Sequence, residues 1–325
     1  MKHLALLLTL TAALPALAEE PKPVAARKIW DRDPHSAFTD LIRFKGKWVC
    51  TFRVGKGHVS PDGAIQVLAS SDGNEWEPIA RLTSKTADLR DPKLSITPKG
   101  QLMLTAAGAL HQPAEHRHQT MAWFSDNAKD WGEPTPIGEP NFWLWRVTWH
   151  DGKAYAVAYR TDPQRQVRFT RLYVSEDGRK FDVLVPELFA KDSPNESTLR
   201  FVGDVGYCLT RRETGSKTAV LGTAKAPFTE WTWKDLGVRL GGPNMIRSPG
   251  DEWVVAARRY TPSVRTMIGG LDAEKGRFTE RLTLPSGGDT SYAGLAWHEG
   301  KLWVSYYASH EGKTAIYLAT INSTK

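Results

Sequence analysis

The chain has 325 residues, a formal charge of +7, 13 Trp, 9 Tyr, 11 Phe, 27 Gly and 20 Pro. Its basic residues are scattered rather than gathered in a stripe, which argues against nucleic acid as a partner, and two cysteines make no staple framework. Aromatics and turn formers in these numbers point to short strands joined by tight turns, folded as one domain with a large core.

Residues 1–18 read as a cleavable signal peptide. Lys2 and His3 precede the apolar run Leu4 to Leu14, and Ala16-Leu17-Ala18 has the small-x-small form of a signal-peptidase site. Cleavage near Ala18 makes the mature protein periplasmic or secreted. No later run approaches the roughly 18 apolar residues that span a bilayer, so no membrane insertion is expected. Residues 19–34 form an N-terminal segment and residues 35–325 the folded domain.

The folded domain repeats. Turns at Gly46-Lys47-Trp48, Gly100-Gln101-Leu102, Gly152-Lys153-Ala154, Gly206-Tyr207-Cys208, Asp251-Glu252-Trp253 and Gly300-Lys301-Leu302 recur at intervals of 54, 52, 54, 45 and 49 residues. Six such units are the arithmetic of a propeller. In unit one, strands are predicted at Phe38–Phe44, Lys47–Phe52 and Ala64–Ala69, followed by the turn Ser70-Ser71-Asp72-Gly73-Asn74-Glu75-Trp76. Unit three repeats this at Trp145–Trp149, Ala154–Tyr159 and Thr170–Val174, then Ser175-Glu176-Asp177-Gly178-Arg179-Lys180-Phe181. Period-two alternation and Asx-Gly turns run throughout without sustained helical periodicity. The expectation is an all-β, six-bladed propeller of four-stranded antiparallel blades with almost no helix.

A propeller gathers the starts of its first strands around one end of the central channel, where chemistry belongs. Those starts are His35 to Asp40, Arg90-Asp91-Pro92-Lys93, Trp143-Leu144-Trp145-Arg146, Asn195-Glu196-Ser197, Pro243-Asn244-Met245-Ile246-Arg247 and Asp289-Thr290-Ser291-Tyr292. Second strands end in Arg53, Arg160, Arg211 with Arg212, Arg258 with Arg259, and Tyr307. Ionisable residues therefore converge on one end of a fold whose other strand positions are apolar. His58, in the loop after unit one's second strand, and His310, in the corresponding loop of the last unit, reach toward the same mouth.

Asn195-Glu196-Ser197, with Arg211 15 residues after the Glu, and Ser291-Tyr292-Ala293-Gly294-Leu295 are the segments in which the chain resembles the sialidase-like propellers. The Ser-x-Asp-Gly-x-x-aromatic turns also resemble the Asp-box of that group, one residue shorter between Asp and Gly. The resemblance implies a secreted glycoside hydrolase in which Tyr292 attacks the sugar, Glu196 takes its proton and arginines hold the substrate. Arg265 is the nearest positional match to a further substrate arginine, with Arg258 and Arg247 as competitors. Ala37-Phe38-Thr39 stands where sialidases carry Arg-Ile-Pro, so one arginine is missing from its place; Arg53 is a substitute, unless the ligand has no such carboxylate. The acid/base is Asp62 by family position or Asp91 by convergence on the axis. Arg90, Trp145, Arg146, Asn244 and Asp289 complete the expected substrate contacts.

His111, His116 and His118 have a spacing that suggests a metal, yet no Cys or nearby Asp completes a ligand set, so neither metal nor cofactor is expected. Cys50 and Cys208 fall on opposite units, too far apart for a disulfide. The partner is a glycan or small sugar, and a monomer is expected. The competing reading is a lectin-like or scaffold propeller that binds glycan without cleaving it.

Overall fold

A computed structural model describes residues 26–112 and 116–322. The expected signal peptide lies outside the described residues. Six four-stranded antiparallel sheets surround a central channel, and no helix occurs among the described residues. Five blades are consecutive in sequence, at residues 35–82, 87–137, 143–189, 194–235 and 241–283. Each runs from an inner strand to an outer one in chain order, as short polar turns allow for antiparallel neighbours.

The sixth blade joins both ends of the chain. Residues 290–322 supply its three inner strands, and Ala26–Trp30 adds the outermost, with Ala26 opposite Ala319 and Arg27 opposite Leu318. Five residues that the sequence reading put in the N-terminal segment, ahead of position 35, thus form a strand of the propeller. Closing the ring with the first strand covers the edge that blade six would otherwise present.

Apolar faces of neighbouring blades form the core. Trp48 of blade one lies 4.5 Å, centroid to centroid, from Trp303 of blade six. The polar turns after the third strands fix this packing. Ser70 Oγ accepts from Gly73 N at 2.8 Å, and Asp72 Oδ1 accepts from the amides of Asn74 and Glu75. Gly73 is at φ +78°, and a Cβ there would stand 2.4 Å from the Trp303 ring, so only glycine permits this approach. The turn at Ser175, Asp177 and Gly178 repeats the pattern against Trp149.

Cys50 and Cys208 are free and fully buried. Burial pushes the Cys208 thiol up to about 12 and raises that of Cys50 further. Because the thiolate is the nucleophile, neither cysteine should react with a disulfide reagent in the native protein, and both should react in denaturant. A thiol titration checks this; fast native-state labelling would contradict the burial.

Candidate active site

Each inner strand carries one irregularity near its start. The ladder slips between Ala37 and Asp40, Arg90 and Lys93, Leu144 and Arg146, Pro194 and Ser197, Gly241 and Asn244, and Ser291 and Gly294. Bulges re-aim side chains, and the gaps hold Phe38, Asp91, Trp145, Glu196, Gly242 and Tyr292. Four of these have left-handed backbone: Phe38 (φ 62°), Asp91 (51°), Gly242 (54°) and Tyr292 (52°). For a non-glycine residue such a conformation costs on the order of 1–3 kcal/mol, which the surrounding ladders must offset. Repeated around the ring, the bulge turns one residue per blade toward a common centre.

Glu196 and Tyr292 meet there. Tyr292 Oη donates to Glu196 Oε1 at 2.6 Å. Arg211 Nη1 donates to Glu196 Oε2 at 2.7 Å and to Tyr292 Oη at 3.0 Å. The backbone N–H of Gly242 gives Glu196 Oε2 a further bond of 2.9 Å. A Cβ on Gly242 would fall 2.9 Å from the tyrosine ring, so this glycine both admits Tyr292 and supplies a donor. Phe38, Trp145 and Tyr307 enclose the ring, with centroids 5.2, 5.9 and 6.0 Å away, and the Arg258 guanidinium lies 5.3 Å from its centroid.

These environments divide the proton affinities. Burial works to raise Glu196, but the Arg211 charge and the hydrogen bonds from Tyr292 and Arg211 outweigh it and hold the carboxyl below its ordinary value. Burial and the Glu196 charge push the Tyr292 phenol well above its ordinary range, against the opposing charges of Arg211 and Arg258. At rest the pair is a carboxylate and a phenol. Asp91 is raised by burial, only partly countered by Arg90 and Lys93, and its buried Oδ1 has no hydrogen-bond partner. It is a carboxyl biased toward its protonated form.

The other expected residues separate into groups. Arg258 belongs at the mouth, donating to Thr290 O, Asp289 Oδ1 and Tyr307 Oη at 2.8, 2.9 and 2.9 Å. Arg90 also lies there, 5.3 Å from the Phe38 centroid, with Nη1 on His58 O at 3.0 Å. His58 Nδ1 meets Asp289 Oδ2 at 2.9 Å. Burial works to raise Asp289, but the neighbouring imidazoles, Tyr307 and Arg258 hold it well below the usual carboxylate range.

Arg146 and Asn244 lie deeper in the channel. Arg146 grips both oxygens of Asp40 at 2.8 and 3.2 Å, while Asn244 accepts from Arg200 and donates to Ala293 O. Lys93, pushed down to about 8 by burial, places Nζ 5.1 Å from the Trp145 centroid. At the opposite end a separate cavity of about 270 Å³ is lined by Asp40, Arg146, Trp149 and Arg200; Tyr292 and Glu196 do not line it.

Several residues that the sequence brings to the site have other partners. Arg53 is fully buried and spent on Asp88, Gly57 and Ser60, so it does not replace the missing arginine. Asp62 is exposed and accepts from the Lys56 amide within its own loop, whereas Asp91 is buried near Glu196. Arg247 pairs with Asp251 and packs on Trp253 at the far end of its strand. Arg265 donates to Val264 O beside Gly287 and His310; His310 itself faces Tyr317 at 5.0 Å. Gly242 escaped the sequence reading, although Gly241-Gly242-Pro243 aligns with the other strand starts.

No family model matches the chain, and no curated protein matches it. Solved structures do. A Dyadobacter fermentans protein of unknown function superposes with a TM-score of 0.82 at 20% identity, covering 94% of this chain and 100% of that one. The α-L-arabinanase of Penicillium chrysogenum gives 0.70 at 14% identity over 93% and 99% of the two chains. A Trypanosoma rangeli sialidase gives 0.71 at 12% identity, covering 89% of this chain and 55% of that one. At these identities the likeness speaks to the fold alone, an all-β propeller of six four-stranded antiparallel blades.

Proposed function

We propose that the protein is a glycoside hydrolase that cleaves a terminal sugar with Tyr292 as nucleophile, Glu196 as its base and Asp91 as general acid. The observation that carries the reading is the buried Tyr292–Glu196–Arg211 cluster, in which a phenol points its proton at a carboxylate. Tyr292 Oη attacks the anomeric carbon while Glu196 takes the phenol proton. Asp91 protonates the departing oxygen as the glycosidic bond breaks. Water then attacks the tyrosyl glycoside, Asp91 takes the water proton, and Glu196 returns its proton to Tyr292. Arg211 donates to the phenol oxygen throughout, stabilising the charge that builds there. Support from the solved structures is that arabinanases and sialidases share this fold.

The charges favour a neutral sugar over an acidic one. Arg211 is already shared between Glu196 and Glu213, Arg258 is paired with Asp289, and Phe38 occupies the bulge of blade one without a charge. A screen of the mature chain against chromogenic neutral glycosides, uronides and sialosides tests the reading. Turnover is expected on a neutral glycoside. Glycan binding on an array without any turnover would instead favour the lectin-like reading, with Glu196 and Arg211 as a structural ion pair.

Two pH effects follow from Asp91. Activity should extend downward toward the depressed Glu196 pKa and decline as pH rises through the elevated Asp91 pKa. Asp91→Asn should remove that alkaline limb and spare the first step for substrates whose leaving group needs no proton, leaving their turnover limited by attack of water on the tyrosyl glycoside. Because the folded-state pKa of Asp91 is above its unfolded value, its protonation favours folding at low pH and that contribution is lost as pH rises. The melting temperature of the parent relative to Asp91→Asn should therefore fall with rising pH; an unchanged difference would contradict the assignment.

A further inference from the structure

We propose that His35, His58 and Asp289 bind a divalent transition-metal ion of the zinc class at the channel mouth. One nitrogen of each imidazole and one Asp289 oxygen lie within 4.8 Å of one another. The three come from the first residue of blade one, the loop after its second strand, and the residue just before blade six, so only ring closure unites them. Two imidazoles and one carboxylate suit zinc or cobalt better than calcium or magnesium, which prefer oxygen alone.

Asp289 is built as a metal ligand would be. Its Oδ1 is braced by Tyr307 Oη at 2.7 Å and Arg258 Nη2 at 2.9 Å, and its backbone amide donates to Ser309 Oγ at 2.9 Å. That fixes the carboxylate and leaves Oδ2 facing the histidines, the outer-sphere support that orients metal ligands. His58 Nδ1 is 2.9 Å from Oδ2 and His35 Nε2 is 3.8 Å from it. His35 has a side chain only 12% exposed, its Nδ1 is buried without a partner, and 3.8 Å is too long for a good hydrogen bond at Nε2. With no partner at hydrogen-bond distance, Nε2 is the nitrogen open to a metal on the side of Asp289 Oδ2.

The fit needs a small movement. Metal–ligand bonds of about 2.0–2.1 Å in a tetrahedron put ligand atoms about 3.3 Å apart. His58, 50% exposed on its loop, is the ligand able to close that gap. Three protein ligands leave at least one position open for water. The Arg258 cation on Oδ1 makes the site weaker than a closed structural zinc site.

The site does not depend on the glycosidase reading, and its test uses no turnover. Metal-free mature protein is titrated with Zn²⁺ by calorimetry and with Co²⁺ by visible absorption. About one equivalent should bind, with the intense ligand-field bands of low-coordinate Co²⁺. His58→Ala, a change at an exposed loop position, and His35→Ala should each weaken binding by more than about tenfold. Absence of saturable binding, or equal binding by the parent and both variants, would overturn the site.

Discussion

Tyr292→Phe should fold as the parent does and lose glycoside turnover by roughly 10³-fold or more, the scale on which removal of a covalent nucleophile acts. The ring stays where Phe38, Trp145, Tyr307 and the Gly242 backbone hold it, because none of those contacts uses the hydroxyl. Glu196 keeps its bonds from Arg211 and Gly242, so the carboxylate remains satisfied. Glu196→Gln should give a loss of similar size by a different route. The amide cannot accept the phenol proton, although its oxygen can still receive the Gly242 amide. Since the two residues act as a unit, the double variant should be little worse than either single one. Initial rates on the best substrate of the screen, with melting temperatures alongside, provide the check. Multiplicative losses would mean that the two act independently.

Asp88→Ala should destabilise the fold by about 3–5 kcal/mol, the cost of leaving a buried ion uncompensated. Arg53 Nε and Nη2 bond Asp88 Oδ1 and Oδ2 at 2.7 and 3.1 Å, and Nη1 bonds Gly57 O at 2.8 Å. The Arg53 side chain is 0% exposed and that of Asp88 5%, so little solvent screens the pair. The bond joins the second strand of blade one to the first strand of blade two, making it an inter-blade tie. Arg53→Met/Asp88→Leu should recover much of the loss, because replacing a buried pair by apolar groups is often nearly neutral. Urea unfolding of the three proteins checks both statements. A single variant as stable as the parent would show that Arg53 reaches water after all.

The blade repeat was legible because the units restate similar local chemistry: a tight turn ahead of the second strand, alternating strands and, in units one and three, a Ser-x-Asp-Gly turn ahead of an aromatic. The positions of Glu196, Arg211 and Tyr292 followed from the same register, since strand starts must face the channel. Arg53 and Arg247 show where such reasoning ends. Both occupy strand positions counted toward the mouth, yet Arg53 turns into the gap between blades to meet Asp88, 35 residues away, and Arg247 lies at the far end of its strand. Which carboxylate claims an arginine depends on inter-blade geometry that strand periodicity does not encode. The outer strand at Ala26–Trp30 was hidden for a related reason. Its partner is the last strand of the chain, almost 300 residues away, and no local turn announces the pairing. The His35–His58–Asp289 cluster is brought together by the same closure.

The most direct test of Tyr292 as nucleophile is peptide mapping by mass spectrometry after incubation with a fluorinated glycosyl donor of the sugar that the screen identifies. Such donors slow both steps and let the glycosyl-enzyme accumulate. The account predicts a single adduct on the peptide that contains Tyr292, present in the parent and absent from Tyr292→Phe. An adduct on Glu196 or Asp91, or turnover with inversion at the anomeric carbon and no adduct, would contradict it.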